Sequence, residues 1–438
     1  MSRRSSLLTR SARTMPALAV MAAVGVVVPF EVHATEGYFQ HGYGARSKAL
    51  GGTGAADTRD STGVSLNPAG LVHVENEWTA AVSAFSPRRE FEGGVGVGFT
   101  PEGTVESDTN WFAVPNLSAS YRLAPNPFVD VIGFSVYGSG GMNTDYPGVD
   151  RGGPTGIFLG GPLGVDLQQA LISVAFAKTI APGVSVGVAP ILARQQIKLR
   201  GLGAFAPGSS DPGYVTNNGT DVSWGVGVRG GVEWAVAPNI RLGVAGNSPI
   251  WSEEFDKYRG LFAEQGSFDI PASIQAGIAV DVTPNLTVLA DYRHIWFGSI
   301  ASIANPSTNA ALLGSDNGPG FGWDDVDVIK LGVEWRSSPT LTLRAGYSYA
   351  TNPISSRDVQ FNILAPAVVQ HHITAGFEYK VNKAWSVEFA GLYAPEETVS
   401  GYEIPPGNPG HAIDISMYQF EATLGVKYKF GADEAPLK

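Results

Sequence analysis

The feature that most constrains the fold is a stretch of 16 residues, 221–236, in which apolar residues alternate with polar or small ones. One face would carry Val222, Trp224, Val226, Val228, Val232, Trp234 and Val236, and the other Asp221, Ser223, Gly225, Gly227, Arg229, Gly231 and Glu233. A period of two indicates a β-strand with one apolar face. Because strands of soluble proteins usually hold about 5–6 residues, this length favours a transmembrane barrel over a soluble sandwich.

Two tryptophans on the apolar face support this interpretation. Trp224 and Trp234 are ten residues apart. At ~3.3 Å per residue and a tilt of ~40°, ten residues rise about 25 Å, which is the separation of the two aromatic girdles of a membrane barrel. The strand is therefore predicted to cross a bilayer.

Similar segments recur along the chain. They predict strands at residues 77–93, 109–123, 129–140, 167–179, 183–198, 221–236, 239–250, 270–282, 285–297, 326–336, 340–350, 369–381, 384–394 and 416–430. Fourteen is an even number, as in single-chain bacterial barrels, and short turns alternate with long polar loops. We therefore predict an all-β fold, a 14-stranded antiparallel transmembrane β-barrel over residues 76–430, followed by a C-terminal tail at 431–438.

The first 34 residues have the pattern of an export signal peptide, with four arginines, an apolar stretch and a small-residue cleavage site ending at Ala34. Removal of four Arg and of Glu31 leaves 25 basic and 39 acidic residues, a net charge of −14. Nucleic acid is therefore excluded as an expected partner. The chain has no cysteine, so disulfides and thiolate chemistry are impossible.

Motifs of catalysis and metal binding are weak. Ser185 lies in a G-x-S-x-G sequence, but within an alternating strand rather than at the strand-to-helix turn that such a nucleophile needs. His371 and His372 are adjacent and would point to opposite faces of a strand. We predict no enzyme activity, no metal and no cofactor.

Several short motifs together resemble the FadL/TodX family of outer-membrane transporters, which carry long-chain fatty acids or hydrophobic hydrocarbons into Gram-negative cells. The motifs are Gly37-Tyr38-Phe39, Asn67-Pro68-Ala69, Val114-Pro115-Asn116, and Trp323 with Asp325 and Gly332. The resemblance covers residues 35 to 430 and implies a location in the Gram-negative outer membrane.

The resemblance also implies a role for residues 35–75, which have no strand or helix period. In this family the segment folds inside the barrel as a hatch (here, the plug), with Gly37, Asn67, Pro68 and Ala69 as its motif residues. A lumen of fourteen strands is too wide for the wall side chains to fill. A segment rich in Gly, Ser, Thr and Asp can hydrogen-bond to such a polar wall.

A transport route follows from the resemblance. A hydrophobic ligand would be captured at the outer loops, move to a tighter site against the start of the plug, and leave sideways through a gap in the wall. The tighter site is expected to use Tyr38, Phe39 and Ile197, with Lys198 or Arg200 pairing with a carboxylate. The gap is expected at an inward kink formed by Tyr137, Gly138, Ser139, Gly140 and Gly141, for which a Gly-rich hairpin exit is the alternative.

The expected ligand is a long-chain fatty acid. Neutral aromatic hydrocarbons or alkanes remain an alternative because the acidic pair Asp324-Asp325 would repel an anion. A general diffusion porin is a second alternative, although it has no use for a forty-residue plug. Other expected partners are outer-membrane lipid and lipopolysaccharide, and the expected state is a monomer.

Overall fold

Fourteen antiparallel strands form a closed wall in the computed structural model, which describes residues 36–149, 157–159, 161–405 and 407–432. Each wall strand pairs with the next one along the chain, and the last strand pairs with the first from Glu77↔Lys429 to Gly93↔Ile413. Two short strands, Gly103–Glu106 and Trp251–Ser252, each pair with one wall strand and lie off the wall. The predicted 14-stranded barrel is confirmed.

The strands are β1 Glu77–Gly93, β2 Gly103–Glu106, β3 Phe112–Arg122, β4 Val131–Tyr146, β5 Leu163–Ala181, β6 Val184–Arg200, β7 Asp221–Ala237, β8 Ile240–Asn247, β9 Trp251–Ser252, β10 Ser273–Thr283, β11 Leu286–Ile295, β12 Val326–Arg336, β13 Leu341–Ala350, β14 His371–Lys380, β15 Trp385–Tyr402 and β16 Ala412–Lys429. Short helical turns lie in the long loops at Ile157–Leu159, Gly203–Gly208, Pro212–Tyr214, Asp256–Tyr258, Ala263–Gly266, Phe297–Ser299, Ala301–Ala304, Ser356–Asp358 and Val359–Asn362. No helix in the described ranges is long and apolar enough to span a bilayer.

The largest differences from the predicted strand ends lie on the side of the long loops. Strands β4, β15 and β16 continue into the segments predicted as loops 141–166 and 395–415. Their extensions pair in register through polar residues, such as Ser400 with Asp414. Beyond the membrane the inner face becomes apolar, as at Ile413 and Ile415, so the pattern of a membrane-facing strand ends before the strand does.

The wall is apolar outside, as the alternation of β7 predicts. Trp224 and Trp234 point outward and are 43% and 50% exposed. Their neighbours Ser223 and Glu233 point into the barrel and are at most 2% exposed. Outward side chains on other strands, such as Leu331, are also large and apolar. This surface fits the hydrocarbon of a bilayer.

Residues 36–75 lie inside the wall. This segment contains a helix, Gly44–Ala49, and two 3₁₀ turns, Ser61–Val64 and Pro68–His73. The helix contacts β1 and β13–β16, whereas the turn Pro68–His73 contacts β4–β7 across the lumen. Nearly all of the segment is buried. These contacts are consistent with the predicted plug; the predicted signal segment and residues 433–438 of the tail lie outside the described residues.

The Asn67-Pro68-Ala69 motif begins a helical turn and anchors it to the wall. The Asn67 side chain accepts a hydrogen bond from Ala69 N and donates to the carbonyls of Ala55 and Val232, at 3.1, 2.6 and 3.1 Å. Asn is a preferred N-cap residue, and Pro is favoured at the first helical position.

Buried ion pairs tie the plug to the wall. Arg46 lies between Asp57 of the plug and Glu334 of β12, at 2.6 and 2.9 Å. Lys48 pairs with Glu421 of β16 and donates to Ser83 of β1, so it joins the two strands that close the barrel. Breaking a buried pair leaves an uncompensated charge and is strongly destabilising. These ion pairs therefore fasten the plug to the wall, in addition to apolar clusters such as that of Leu50 with Ala279 and Leu289.

Candidate ligand site and lateral gap

Five aromatic rings meet where the plug begins. Tyr38 and Phe39 come from the plug, and Phe268, Phe297 and Trp323 come from the loops above β10–β12. The Tyr38 ring centroid lies 5.1 Å from that of Phe297, and the centroids of Phe297 and Trp323 lie 5.2 Å apart. We call these five residues the aromatic cluster.

Burial and hydrogen bonding make the aromatic cluster a dry, apolar site. Tyr38 and Trp323 are 1% and 2% exposed, and the Trp323 indole nitrogen donates to the Asn362 side chain at 2.6 Å. Burial raises the pKa of Tyr38, so its hydroxyl stays neutral. Gly37 has φ +66°, and an added Cβ would lie 2.6 Å from the Phe297 ring, so glycine is needed there. Ile197 belongs to the same buried hydrophobic core.

Pairing between β3 and β4 stops partway up the wall. The ladder runs from Arg122↔Val131 to Asn116↔Tyr137 and ends next to Pro115, which has no backbone N–H. Above this point β4 pairs with β5 through a register shift between Gly138 and Gly140. We call the unpaired stretch between β3 and β4 the lateral gap.

The strand bends inward at the gap. Residues 137–142 are all buried, whereas residues 131–136 alternate between buried and partly exposed. A β-bulge adds one residue to a strand and bends it, and glycine allows this locally. The predicted kink at Tyr137, Gly138, Ser139, Gly140 and Gly141 therefore coincides with the bulge, and the hairpin alternative does not fit because β4 continues to Tyr146.

The plug backbone forms hydrogen bonds with backbone groups along the kink. Gly141 N donates to the Tyr38 carbonyl at 3.0 Å, and Gln40 N donates to the Ser139 carbonyl at 3.1 Å. An added Cβ at Gly140 would lie 2.4 Å from the Tyr38 oxygen. The predicted ligand residue Tyr38 and the predicted kink are thus in direct contact, and movement of one must affect the other.

A narrow cavity connects Tyr38 with the lateral gap. It is lined by Tyr38, Phe85, Arg89, Met142 and Met417, among others, and has a volume of about 40 Å³. A cavity that holds benzene measures about 150 Å³. A ligand can therefore pass only if the start of the plug or the gap edges move.

A second, strongly apolar cavity of about 30 Å³ lies among the long loops. Its lining includes Leu199, Leu202, Phe205, Phe262, Phe321 and Phe361. An apolar cavity at this outer end is where the predicted capture step would begin.

Lys198 and Arg200 do not share a face with Ile197. Ile197 is fully buried, Lys198 is exposed on the opposite side of β6, and Arg200 forms an ion pair with Asp145 of β4. Successive residues of a strand point to opposite faces. The structure therefore argues against Lys198 or Arg200 as the carboxylate partner beside Ile197. Asp324 and Asp325 are also exposed, away from buried Trp323.

Two other cations lie beside the aromatic cluster, and both pair with the same carboxylate. Arg293 and Lys330 contact the two carboxylate oxygens of Glu36 at 2.8 and 2.6 Å, and Glu36 is fully buried. The Arg293 guanidinium lies 5.2 Å from the centre of the Phe39 ring. Strand alternation makes Arg293 on β11 and Lys330 on β12 point inward. This alternation is the sequence signal that could have identified them.

No group of three His, Asp or Glu side chains in the described part of the chain is arranged to hold a metal ion. The site combines an apolar pocket with two cations at its border that pair with Glu36.

Comparison with known proteins gives one family and one fold. A family model described as outer membrane protein transport protein (OMPP1/FadL/TodX) matches residues 40–403. A sequence comparison with curated proteins finds no match. The fold is similar to the Pseudomonas putida toluene transporter TodX, with a TM-score of 0.67, 19% identity, and coverage of 90% of this chain and 100% of that one.

Two further solved structures have a similar fold. A Pseudomonas aeruginosa FadL homologue has a TM-score of 0.66 and 15% identity, and covers 90% of this chain and 100% of its own. The Ralstonia pickettii toluene transporter TbuX has a TM-score of 0.61 and 18% identity, with 89% and 99% coverage.

Proposed function

Because the chain belongs to the OMPP1/FadL/TodX family of outer-membrane transport proteins, we propose a specific route and ligand for it. The family carries hydrophobic compounds into Gram-negative cells. The proposed ligand is a long-chain fatty acid, which enters at the loop cavity, reaches the aromatic cluster and leaves through the lateral gap. The observation that carries this proposal is that the plug backbone at Tyr38 fills the break in pairing between β3 and β4.

The aromatic cluster supplies the affinity in this scheme. An apolar chain gains about 0.8 kcal/mol for each methylene removed from water. The same term favours release into the bilayer over release into an aqueous compartment. Sideways exit therefore keeps the chain out of water throughout, and the polar plug in the lumen argues against a general diffusion porin.

The gap supplies the control step. The cavity beside Tyr38 is too small for a ligand, so a ligand must displace the Tyr38 backbone from Gly141. This frees the kink and widens the exit. Ligand binding and opening of the gap are therefore energetically coupled, because the same backbone atoms of Tyr38 close the site and line the gap.

Neutral aromatic hydrocarbons are the second candidate ligand. The specific observation in their favour is that both cations beside the aromatic cluster already pair with Glu36, which a fatty-acid carboxylate would have to displace. TodX and TbuX, which share the fold, are described as toluene transporters.

Crosslinking across the gap tests the route. The natural chain has no cysteine, so Ala113→Cys on β3 and Asn143→Cys on β4 can be joined by a cleavable bifunctional thiol reagent. Uptake of a labelled long-chain fatty acid and of labelled toluene is then measured in cells that lack their own transporter. Crosslinking should block uptake of the ligand that is carried, and cleavage should restore it.

The matched control joins the same two strands where they are paired. Leu117→Cys and Val136→Cys lie directly opposite each other below the gap, and crosslinking them should leave uptake unchanged. Normal uptake through a verified Ala113–Asn143 crosslink would refute lateral exit. Uptake of neither ligand by the uncrosslinked protein would refute the proposed ligands.

A further inference from the structure

Arg89 differs from every other buried cation of the described residues. Seven lysines and arginines are buried there: Arg46, Lys48, Arg89, Arg293, Lys330, Arg344 and Lys427. Six of them contact a carboxylate. Arg89 is 5% exposed, and the described residues provide no carboxylate partner for it. Its Nε is buried without a hydrogen-bond partner.

The guanidinium of Arg89 bridges the two edges of the lateral gap. It projects inward from β1 and donates to the carbonyls of Asn143, on β4, and of Thr109, just before β3. It lies 5.4 Å from the centre of the Phe112 ring. Arg89 thus closes the outer end of the gap through two neutral acceptors.

The height of Arg89 matches that of an amphiphile's head group. Arg89 follows Glu77, at the start of β1, by twelve residues, which at ~3.3 Å per residue and a tilt of ~40° is about 30 Å up the wall. The apolar residues Phe85, Phe112 and Val114 form a cluster lower on the same side. A carboxylate at Arg89 would therefore leave its alkyl chain against apolar side chains at the level of the hydrocarbon.

The physical chemistry of a buried charge indicates the missing partner. An unpaired buried ion is strongly destabilising, and two neutral carbonyls compensate it only in part. Arginine binds a carboxylate through two parallel hydrogen bonds, which are about twice as strong as neutral ones. A carboxylate is therefore the ligand that Arg89 should accept in exchange for the carbonyls of Asn143 and Thr109.

We propose that Arg89 binds the carboxylate of a long-chain acid at the outer end of the lateral gap and, in doing so, releases the two gap edges that it bridges. The inference rests on the proposed lateral route, and it selects acids as the ligand class. Arg89 is then both the group that recognises the acid and the bridge between the gap edges that acid binding breaks. A neutral hydrocarbon leaves this bridge intact.

The test compares an acid with a neutral ligand of equal length. Binding of a long-chain fatty acid and of the corresponding fatty alcohol is measured on purified protein, and uptake of both in cells, for Arg89→Gln and the natural chain. Glutamine keeps a donor for the carbonyls but lacks the charge. We expect affinity for the acid to fall about tenfold or more, with the alcohol unchanged.

Two further variants separate charge from structure. Arg88→Gln changes the adjacent arginine on the opposite, partly exposed face of β1, and it should leave both ligands unaffected. Arg89→Lys keeps the charge without the planar fork and should fall between the natural chain and Arg89→Gln. It also remains informative if Arg89→Gln fails to assemble, as judged by heat-dependent gel mobility.

Each result has one meaning. An equal loss for acid and alcohol, or no loss for either, would overturn the role of Arg89 in acid recognition while leaving the lateral route intact. Failure of the natural chain to take up the acid would instead overturn the proposed function.

Discussion

Replacement of Glu36 with glutamine tests whether one carboxylate holds the start of the plug in place. Glu36 is fully buried, and its two oxygens contact Lys330 and Arg293 at 2.6 and 2.8 Å. Glutamine has nearly the same shape but no charge. It would leave two buried cations that the plug no longer neutralises.

The expected size of the effect follows from burial. Removal of one partner of a buried ion pair costs about 3–5 kcal/mol. Since 1.4 kcal/mol is a factor of ten, undocking of the plug's first residues should become more frequent by roughly two to three and a half orders of magnitude.

Thiol labelling measures this undocking. Gln40 is 5% exposed, so a cysteine at this position reacts only when the start of the plug undocks. Glu36→Gln should raise the labelling rate of Gln40→Cys at least about a hundredfold. Adding Lys330→Met should reverse part of the effect, because one uncompensated charge is then removed.

The control is a chemically identical change at an exposed pair. Glu75 contacts Lys429 at 2.8 Å, but the two side chains are 68% and 35% exposed, and such pairs are worth about 0–1 kcal/mol. Glu75→Gln should therefore leave labelling within about fivefold. An equally small change for Glu36→Gln would refute the idea that Glu36 fastens the plug.

Three other predictions follow. Gly140→Val would place its Cβ against the Tyr38 carbonyl, so uptake should cease while heat-dependent gel mobility stays normal; normal uptake would contradict the coupling of kink and plug. Burial lowers the pKa of His41 well below its usual value. Low pH therefore favours the undocked plug, in which His41 can be protonated. Labelling of Gln40→Cys, divided at each pH by the labelling of an exposed cysteine to correct for the falling thiolate fraction, should rise as pH falls below about 6.5, and His41→Gln should weaken this dependence. Lys198→Ala, at an exposed position, should change fatty-acid affinity less than about threefold. A tenfold loss would instead support Lys198 as a partner of the ligand carboxylate.

The strands could be predicted because membrane and lumen impose a strict two-residue period. Residues 77–93 and 326–336 have the predicted bounds. The ends of β4, β15 and β16 could not be predicted from the membrane pattern, because beyond the membrane the buried apolar residues, such as Tyr146 and Ile413, lie on the inner face. Sequence alone could not place the plug helix Gly44–Ala49, whose six residues are all buried against distant strands.

Strand faces limit how much of the candidate site the sequence can predict. The glycines of β4 predict the kink and the family motif predicts Tyr38, and their roles in transport stay predictions. Strand alternation puts Lys198 and Arg200 on the face opposite Ile197, so closeness in sequence does not bring these side chains together. The same alternation places Arg89 on the inner face with Phe85, but no local pattern indicates that Arg89 lacks an acidic partner, since all six paired cations find theirs on other segments.

The position of Lys48 bears on how this barrel is assembled. Its ammonium group touches Ser83 of the first strand and Glu421 of the last, and Ser83 is in turn 2.6 Å from Thr423. These contacts lie on the lumen side of the seam between the first and last strands. We expect residues 36–75 to stabilise closure of the ring, because one plug side chain joins the two strands that meet there.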